Sequence, residues 1–79
     1  MLAFSVPSVP PHRRALGEAL RTCRKRAALT QESLAEKAGL SVVFISLVEN
    51  GRQTISVDAL LRIARALDVQ LKDVVKGMK

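Results

Sequence analysis

Apolar residues recur at helical spacing through most of this chain and divide it into five amphipathic stretches. The first covers residues 13–28, where Leu16, Leu20, Cys23 and Ala27 fall at i, i+4, i+7 and i+11. This spacing places them on one face of a helix, while the basic residues of the same stretch largely occupy the other faces. A cysteine on such a face is expected to be a small core residue rather than a nucleophile.

Two short helices joined by a tight turn are predicted over residues 31–50. Thr30 is placed to cap the first helix and Ser41 the second, because a hydroxyl at the N-cap accepts a hydrogen bond from a free backbone N–H. Gly39 follows the first helix, where a left-handed residue ends a helix at little cost. The apolar residues that keep the 3.6-residue period are Leu34, Ala35, Ala38, Leu40, Phe44, Ile45 and Val48. This is the helix-turn-helix arrangement, whose second helix is presented to a DNA major groove.

Two further helices are predicted after a polar loop at residues 51–55. Ser56 is expected to cap the fourth helix, and Asp58 places a negative charge in its first turn, where it suits the helix dipole. The predicted apolar face consists of Val57, Leu60, Leu61, Ala64 and Leu67, with Ile63 beside it. Gln70 is expected to cap the last helix, whose apolar residues are Leu71, Val74, Val75 and Met78. No strand pattern competes with these helices, so an all-α fold is predicted.

Length and composition bound the domain organisation and the compartment. A chain of 79 residues is one domain with a small core, predicted as residues 13–79. Residues 1–12 carry all three prolines and are predicted to be a flexible tail; the alternative is an arm that packs on a partner subunit through Leu2, Phe4 and Val6. A single cysteine cannot form an internal disulfide, and no apolar run reaches the roughly 20 residues that span a bilayer. A cytoplasmic protein without membrane contact is therefore expected.

The charge favours a polyanionic partner, and the reactive side chains argue against catalysis. A net charge of +6 and a pI near 10.5 attract nucleic acid, although a solvated basic surface would have the same charge. His12 is the only histidine and lies in the proline-rich tail, where it is expected to be exposed. No carboxylate pair has a third catalytic partner, so the chain is not expected to be an enzyme. Without Cys/His clusters or a glycine-rich phosphate loop, neither a metal nor a cofactor is predicted.

The residues best placed to contact double-stranded DNA lie at the starts of the two short helices and in the loop after them. Gln31, in the first turn of its helix, can hold a phosphate oxygen with its amide and with free backbone N–H groups. Taken singly, each candidate has the alternative of being an ordinary exposed residue, and it is their joint spacing that favours DNA contact. The full candidate set is Thr30, Gln31, Ser41, Val42, Val43, Phe44, Ser46, Leu47, Asn50, Arg52 and Gln53.

A longer set of residues extends the two-helix motif in both directions. It comprises Leu20, Arg24, the run Leu29-Thr30-Gln31-Glu32, Leu34-Ala35, Ala38-Gly39-Leu40-Ser41, Ile45-Ser46, Glu49-Asn50-Gly51, Leu60-Leu61, the run Ile63-Ala64-Arg65-Ala66-Leu67 and Val69. Together they resemble the Cro/C1-type helix-turn-helix domain, also called the XRE family, as found in small phage repressors and restriction–modification controller proteins. The resemblance implies a compact five-helix, lambda-repressor-like domain that binds a two-fold symmetric operator as a homodimer.

The resemblance also implies roles for individual residues. Gln31 matches a glutamine that holds a backbone phosphate, and the stretch from Ser41 to Leu47 matches the face that contacts the bases. Asn50 and the loop after it match a second phosphate-contacting segment. Arg24 and Glu49 match a partly buried ion pair that ties the first helix to the end of the recognition helix.

The last helix is the expected place for a dimer contact. Leu71 and Val74 are expected to close the core, which leaves Val75 and Met78 without an obvious partner in the same chain. A small surface patch would look the same. The predicted interface consists of Leu71, Val75 and Met78, and two-fold contact there would place two recognition helices about one DNA turn apart, roughly 34 Å.

The predicted recognition face departs from the family pattern because Val42, Val43 and Leu47 are apolar where polar residues are frequent. A valine can touch a thymine methyl but cannot satisfy a guanine or adenine edge by hydrogen bonds, so an A·T-leaning binder is predicted. The same patch supports a rival hypothesis, an antitoxin or adaptor that binds a protein partner through it. The favoured interpretation is a repressor or autoregulator that responds to its own concentration.

Overall fold

Five α-helices form along residues 9–78, the part of the chain that the computed structural model describes. Their bounds are Pro11–Arg26 (α1), Gln31–Ala38 (α2), Val42–Glu49 (α3), Val57–Leu67 (α4) and Leu71–Lys76 (α5). The predicted all-α, five-helix fold is confirmed, and no strand forms within these residues. Leu2, Phe4 and Val6 of the predicted arm lie outside the described residues.

The first helix begins two residues before its predicted start at position 13 and also ends two residues before its predicted end. Pro11 takes the first helical position, where its missing N–H costs nothing because that group would have no helical partner. His12 is exposed, as predicted. At the other end Ala27 is the C-cap and is exposed, so its predicted place on the buried stripe is wrong.

Hydroxyl caps start three of the helices, as predicted. Thr30 and Ser41 accept hydrogen bonds of 3.0 Å from the backbone N–H groups of the residues three positions on, and Ser56 accepts one of 3.1 Å. At the last helix Gln70 is the N-cap residue, as predicted, and its backbone N–H donates to the Asp73 carboxylate at 3.2 Å. These local bonds define where each helix can begin.

The first four helices end in the same way, with one residue in the left-handed region. These residues are Ala28 at φ 58°, Gly39 at φ 70°, Gly51 at φ 73° and Asp68 at φ 57°. In each case the next N–H reaches back to a carbonyl five positions earlier, as Leu29 does to Arg24 at 3.1 Å. This Schellman geometry satisfies carbonyls that the helix leaves free. Glycine meets it without strain, whereas Ala28 holds an unfavourable conformation.

Ala28→Gly is therefore expected to stabilise the protein by about 0.5–1 kcal/mol, since relief of the left-handed strain outweighs the greater freedom of glycine in the unfolded chain. For a domain of this size the gain corresponds to a rise in Tm of several degrees, roughly 2–8 °C. Ala27→Gly is the matched control, because Ala27 has a helical φ of −81° and should lose stability on the same change. Calorimetry on the two variants checks the sign, and a loss in both would contradict the assigned strain.

The core takes one fully buried side chain from every helix. These side chains are Leu20, Leu34, Ile45, Ile63 and Val74, each with at most 1% of its surface exposed. Helix α2 packs on both α3 and α4, α1 packs on α3 and α5, and α4 packs on α5. Of the other residues predicted for the faces of α2 and α3, Ala35, Ala38 and Val48 are also buried, whereas Leu40 and Phe44 are half-buried against the core.

Three predictions for the last two helices are wrong. Val57 and Leu61 of the predicted α4 face are 66% and 38% exposed, because α4 turns a face centred on Ile63 toward its neighbours. Leu61 lies about 100° around the helix from Leu60 and so misses that face. Met78, predicted to lack a partner, packs against the core, which leaves Val75 as the exposed apolar residue of α5. Among the described residues, no helix is both long and apolar enough to cross a membrane.

Candidate nucleic-acid interface

The turn between α2 and α3 sets the direction in which α3 leaves the core. Leu40 donates its N–H to the carbonyl of Ala35 at 2.9 Å, across the left-handed Gly39, and its side chain packs against the core. Ser41 then starts α3 at once, so only Gly39 and Leu40 separate the end of α2 from the next cap. The buried side of α3 is anchored by Ile45 and Val48, and its first turn faces outward.

The carboxylate of Glu49, in the last turn of α3, is the centre of a buried polar network. Its side chain is 1% exposed and is held by Arg24 through a forked pair of hydrogen bonds, Nε to Oε2 at 2.6 Å and Nη2 to Oε1 at 3.1 Å. The remaining Arg24 nitrogen, Nη1, donates to the carbonyl of Leu29 at 2.9 Å. One arginine therefore joins α1, the segment before α2 and the end of α3.

Two more side chains converge on the same carboxylate. Gln31 donates through Nε2 to Oε1 at 3.0 Å, and Arg21 donates through Nε to the same oxygen at 3.4 Å. Arg21 also donates to the side-chain carbonyl of Asn50 at 3.2 Å, and the amide nitrogen of Asn50 donates to the backbone of Ser46 at 2.8 Å. The network thus orients the first residue of α2 and the residue that ends α3.

The ionisation of Glu49 follows from these partners. Burial alone would raise the pKa of the carboxyl, but hydrogen bonds from Arg24, Gln31 and Arg21 and the charge of Arg24 outweigh it, so the pKa lies below its ordinary value of 4.5. The hydrogen bond with Glu49 raises the pKa of Arg24 in turn. Both groups are charged at neutral pH, and no buried side-chain nitrogen or oxygen of the pair lacks a hydrogen-bond partner.

Acid should remove this contribution. Because the pKa of Glu49 is lower in the folded chain than in the unfolded one, its stabilisation is fully present above pH 4.5 and is lost as the pH falls through the folded value. Denaturant titrations from about pH 6 to about pH 2 should show a steeper loss of unfolding free energy for the wild type than for Glu49→Gln. Glu36→Gln, which removes an exposed carboxylate, should follow the wild type. Parallel curves for wild type and Glu49→Gln would contradict the lowered pKa.

A close backbone approach carries α1 to this network. Gly17 is buried in the middle of α1, and a Cβ at that position would lie 2.5 Å from the carbonyl oxygens of both Val48 and Glu49. Only a glycine permits the two helices to approach so closely. This approach brings the arginines one and two turns later on α1 within reach of Glu49.

The outward side of α3 carries most of the predicted base-contacting residues. Val42 and Val43 are 37% and 64% exposed and Ser41 is exposed, whereas Ser46 and Leu47 are half-buried. Phe44 is half-buried and packs against the core, so its ring belongs mainly to the fold. The first turn of α3 contains no acidic residue, whereas those of α2, α4 and α5 each contain one.

The loop after α3 lies beside the start of α1. Gly51 is buried and so near α1 that a Cβ there would lie 3.2 Å from the backbone of Arg14. Arg52 is exposed, and its backbone N–H bonds to the carbonyl of Leu47 at 2.9 Å. Gln53 is half-buried and shares a groove with Arg13. The loop that carries Arg52 therefore lies against the turn of α1 that carries Arg13 and Arg14.

Some of these relations were not visible to sequence reasoning. The helical pattern puts Arg21 off the apolar face of α1 without a partner, and nothing in the sequence predicts the bond between Gln31 and Glu49. The spacing of Arg21 and Arg24, three residues apart on one helix face, was an available signal. An isolated glycine inside the α1 pattern was the signal for the close approach at Gly17.

The predicted site residues thus fall into three places. Thr30 and Gln31 lie at the start of α2, where Thr30 caps the helix. The candidates on α3 and in the loop lie beside them, because Gln31 bonds to Glu49 at the end of α3 and Arg21 bonds to both Glu49 and Asn50. The predicted dimer residues lie apart on α5, where Leu71 is half-buried and Val75 is 58% exposed.

The sequence of this chain is similar to a known domain family and to known regulators. A sequence model of the helix-turn-helix domain matches residues 15–75. The chain is 37% identical over 60 residues to the immunity repressor protein of Bacillus phage phi105, and the alignment covers 76% of this chain and 42% of the repressor. The chain spans about half the length of the curated relatives that it matches.

Two solved structures share the fold over most of both chains. The restriction-modification controller protein C.AhdI from Aeromonas hydrophila superposes with a TM-score of 0.77 at 32% identity, covering 78% of this chain and 94% of that one. The clp gene regulator ClgR from C. glutamicum superposes with a TM-score of 0.84 at 33% identity, covering 91% and 92%.

Proposed function

The chain belongs to the Cro/C1-type helix-turn-helix family of DNA-binding regulators, and from this premise we propose that it is a sequence-specific transcriptional regulator. It acts as a repressor or autoregulator and binds a two-fold symmetric operator as a homodimer. The observation that carries the proposal is the arrangement around Glu49, which orients residues of α1, α2 and α3 on one edge of the molecule.

In this proposal Gln31 contacts a phosphate. An amide nitrogen has two N–H groups, and the bond to Glu49 uses one of them. The second N–H and the free backbone N–H groups of the first turn of α2 serve a phosphate oxygen. Arg21 and Arg24 offset the negative charge of Glu49, so the carboxylate does not repel the DNA.

Helix α3 then enters the major groove by its first turn. No acidic residue offsets the positive end of its dipole, which suits an approach to DNA. Arg52, exposed in the loop after α3, contacts the backbone beside the groove. The net charge of +6 supplies the long-range attraction.

The dimer contact is proposed on α5. Val75 is exposed there with half-buried Leu71 on the same short helix, while Met78 is taken up by the core. Sedimentation equilibrium on the full chain, with and without DNA, tests this contact. A protein that stays monomeric at high concentration and binds one half-site per chain independently would overturn the homodimer.

The function is tested by fluorescence anisotropy against duplexes tiled across the DNA upstream of the gene, at two salt concentrations. Tight binding to one palindromic stretch, weakening steeply with salt, is expected. Arg52→Ala should weaken binding to every duplex and reduce the slope of log affinity against log salt by about one per chain. Arg65→Ala is the matched control, because this exposed arginine lies beside Lys37 near the opposite end of α2 from Gln31.

Weak and equal binding to all duplexes would overturn the proposal and favour the rival, in which the exposed valines of α3 serve a protein partner. Equal losses from Arg52→Ala and Arg65→Ala would show that charge alone attracts the DNA and that this edge has no special role.

A further inference from the structure

Two adjacent valines in the first turn of α3 are exposed without a structural reason. Val42 is 37% and Val43 64% exposed, and they are the only neighbouring pair among the large apolar side chains exposed on residues 9–78. Helix propensity does not favour valine at these positions, since a β-branched residue is a poorer helix former than alanine. The dipole would favour Asp or Glu there instead.

Two polar side chains at the ends of α3 are engaged within the protein. The hydroxyl of Ser41 accepts the N–H of Phe44 at 3.0 Å. The side chain of Asn50 uses its nitrogen on the backbone of Ser46 and its oxygen on Arg21. In the first turn of α3 the exposed side chains besides the Ser41 cap are therefore those of Val42 and Val43.

An apolar side chain in the major groove has one specific partner, the C5-methyl group of a pyrimidine. Thymine carries that methyl group, whereas uracil and unmodified cytosine do not. Valine forms no hydrogen bond to O4 of thymine or N4 of cytosine, so it distinguishes pyrimidines by the methyl group alone.

We propose that Val42 and Val43 determine specificity by contacting pyrimidine C5-methyl groups, so that thymine and 5-methylcytosine are preferred to uracil and cytosine at the contacted positions. The inference rests on the proposed DNA-binding function and adds a chemical group that the site recognises. It makes binding responsive to C5 methylation of cytosine.

The expected effect follows from burying one methyl group, about fourfold in affinity for each contacted pyrimidine. On a symmetric site, loss of the same methyl group in both half-sites should cost about sixteenfold. Such effects are well within the range that anisotropy resolves.

The probe is obtained by selecting duplexes from a random 20-base-pair pool with the wild-type protein. The selected duplex is then made again with deoxyuridine in place of each thymidine in turn, and with 5-methylcytidine in place of each cytidine. We expect a loss of about fourfold from deoxyuridine at one or more positions of each half-site. We also expect a duplex with a 5-methylcytosine–guanine pair at one of those positions to bind more tightly than the same duplex with an unmodified cytosine–guanine pair there.

Val43→Ala assigns the effect to the side chain. This variant should discriminate less between the thymidine duplex and the deoxyuridine duplex than the wild type does, and Val42→Ala/Val43→Ala should bind the two almost equally, because the methyl group has then lost its partners. Val57→Ala is a matched control, since Val57 is 66% exposed in the first turn of α4 and should keep the fourfold discrimination. Both positions are exposed, so neither variant disturbs the core.

The possible failures are distinguishable. A selected duplex that tolerates every deoxyuridine without loss would overturn the inference and leave the proposed function standing. Discrimination that survives Val43→Ala and Val42→Ala together would assign methyl recognition elsewhere and overturn it as well. A selection that enriches no sequence would overturn the proposed function and the inference with it.

Discussion

Glu49→Ala is expected to remove about 3 kcal/mol from the free energy of unfolding, because it leaves two arginines at a site shaped for their partner. The carboxylate is 1% exposed, and the side chain of Arg24 is only 12% exposed. Without Glu49, the Arg24 guanidinium would keep one protein acceptor, the carbonyl of Leu29. Since a small domain has a total stability of roughly 5–10 kcal/mol, this is a large share.

Glu32→Ala is the control for the loss of one negative charge. Glu32 is exposed in the first turn of α2, where it interacts with the helix dipole and only at a distance with Arg24. Its removal should cost under about 1 kcal/mol. Urea titrations at neutral pH give both values, and equal losses from the two variants would contradict the central place given to Glu49.

The network also links stability to the proposed DNA contact. In Glu49→Ala the Gln31 amide loses its acceptor at 3.0 Å. Arg21, which also donates to Asn50, loses the carboxylate that helps to hold it in place. We expect the fraction that is still folded to bind DNA more weakly than the wild type. Glu49→Gln keeps the shape of the side chain and separates this loss of orientation from the loss of charge.

Local chemistry explains why the fold was predictable. The caps at Thr30, Ser41 and Ser56 and the left-handed Gly39 act within one helical turn, so residues near one another in sequence determine them. The apolar period likewise identified Leu20 and Ile45 as core. Ala28 follows the end of α1 in the left-handed conformation that a glycine usually adopts, and the residue type does not predict this conformation.

The errors come from relations between helices. An apolar residue at the edge of a helical stripe is buried only if a neighbouring helix covers it. The angle at which two helices pack decides this, and the sequence pattern of one helix does not give that angle. Leu61 was assigned to the core and is 38% exposed, whereas Met78 was assigned to the surface and packs against the core. Leu61 is exposed because no neighbouring helix within residues 9–78 covers its side of α4, and Met78 is covered because it packs against the core.

The contacts around Glu49 were predictable only in part. The pairing of Arg24 with Glu49 was implied by the family resemblance, and the distances of 2.6 and 3.1 Å now describe it. The bonds of Arg21 and Gln31 to the same carboxylate depend on how α1 and α2 pack around the end of α3. That packing depends in turn on Gly17, which has no Cβ to hold α1 away from the end of α3.

Gly17→Ala is expected to destabilise the protein by about 2 kcal/mol or more, although alanine is the better helix former by about 1 kcal/mol. A Cβ at position 17 would lie 2.5 Å from two backbone carbonyl oxygens, and backbone cannot rotate away as a side chain can. Relief therefore requires α1 and the end of α3 to separate. That movement would lengthen the bonds from Arg24 to Glu49, so the loss of packing and the loss of the network should occur together.

Gly77→Ala is the matched control for this prediction. A Cβ there would meet its nearest atoms at 3.4 and 3.5 Å, which is ordinary contact, and the residue has a helical φ of −75°. Its unfolding free energy should therefore change by no more than about 0.5 kcal/mol. The acid dependence gives a second measurement, because Gly17→Ala should flatten the pH profile toward that of Glu49→Gln while Gly77→Ala leaves it unchanged. If Gly17→Ala instead gained the stability that helix propensity alone predicts, the close contact between α1 and α3 would be wrong, and the geometry of Glu49 with it.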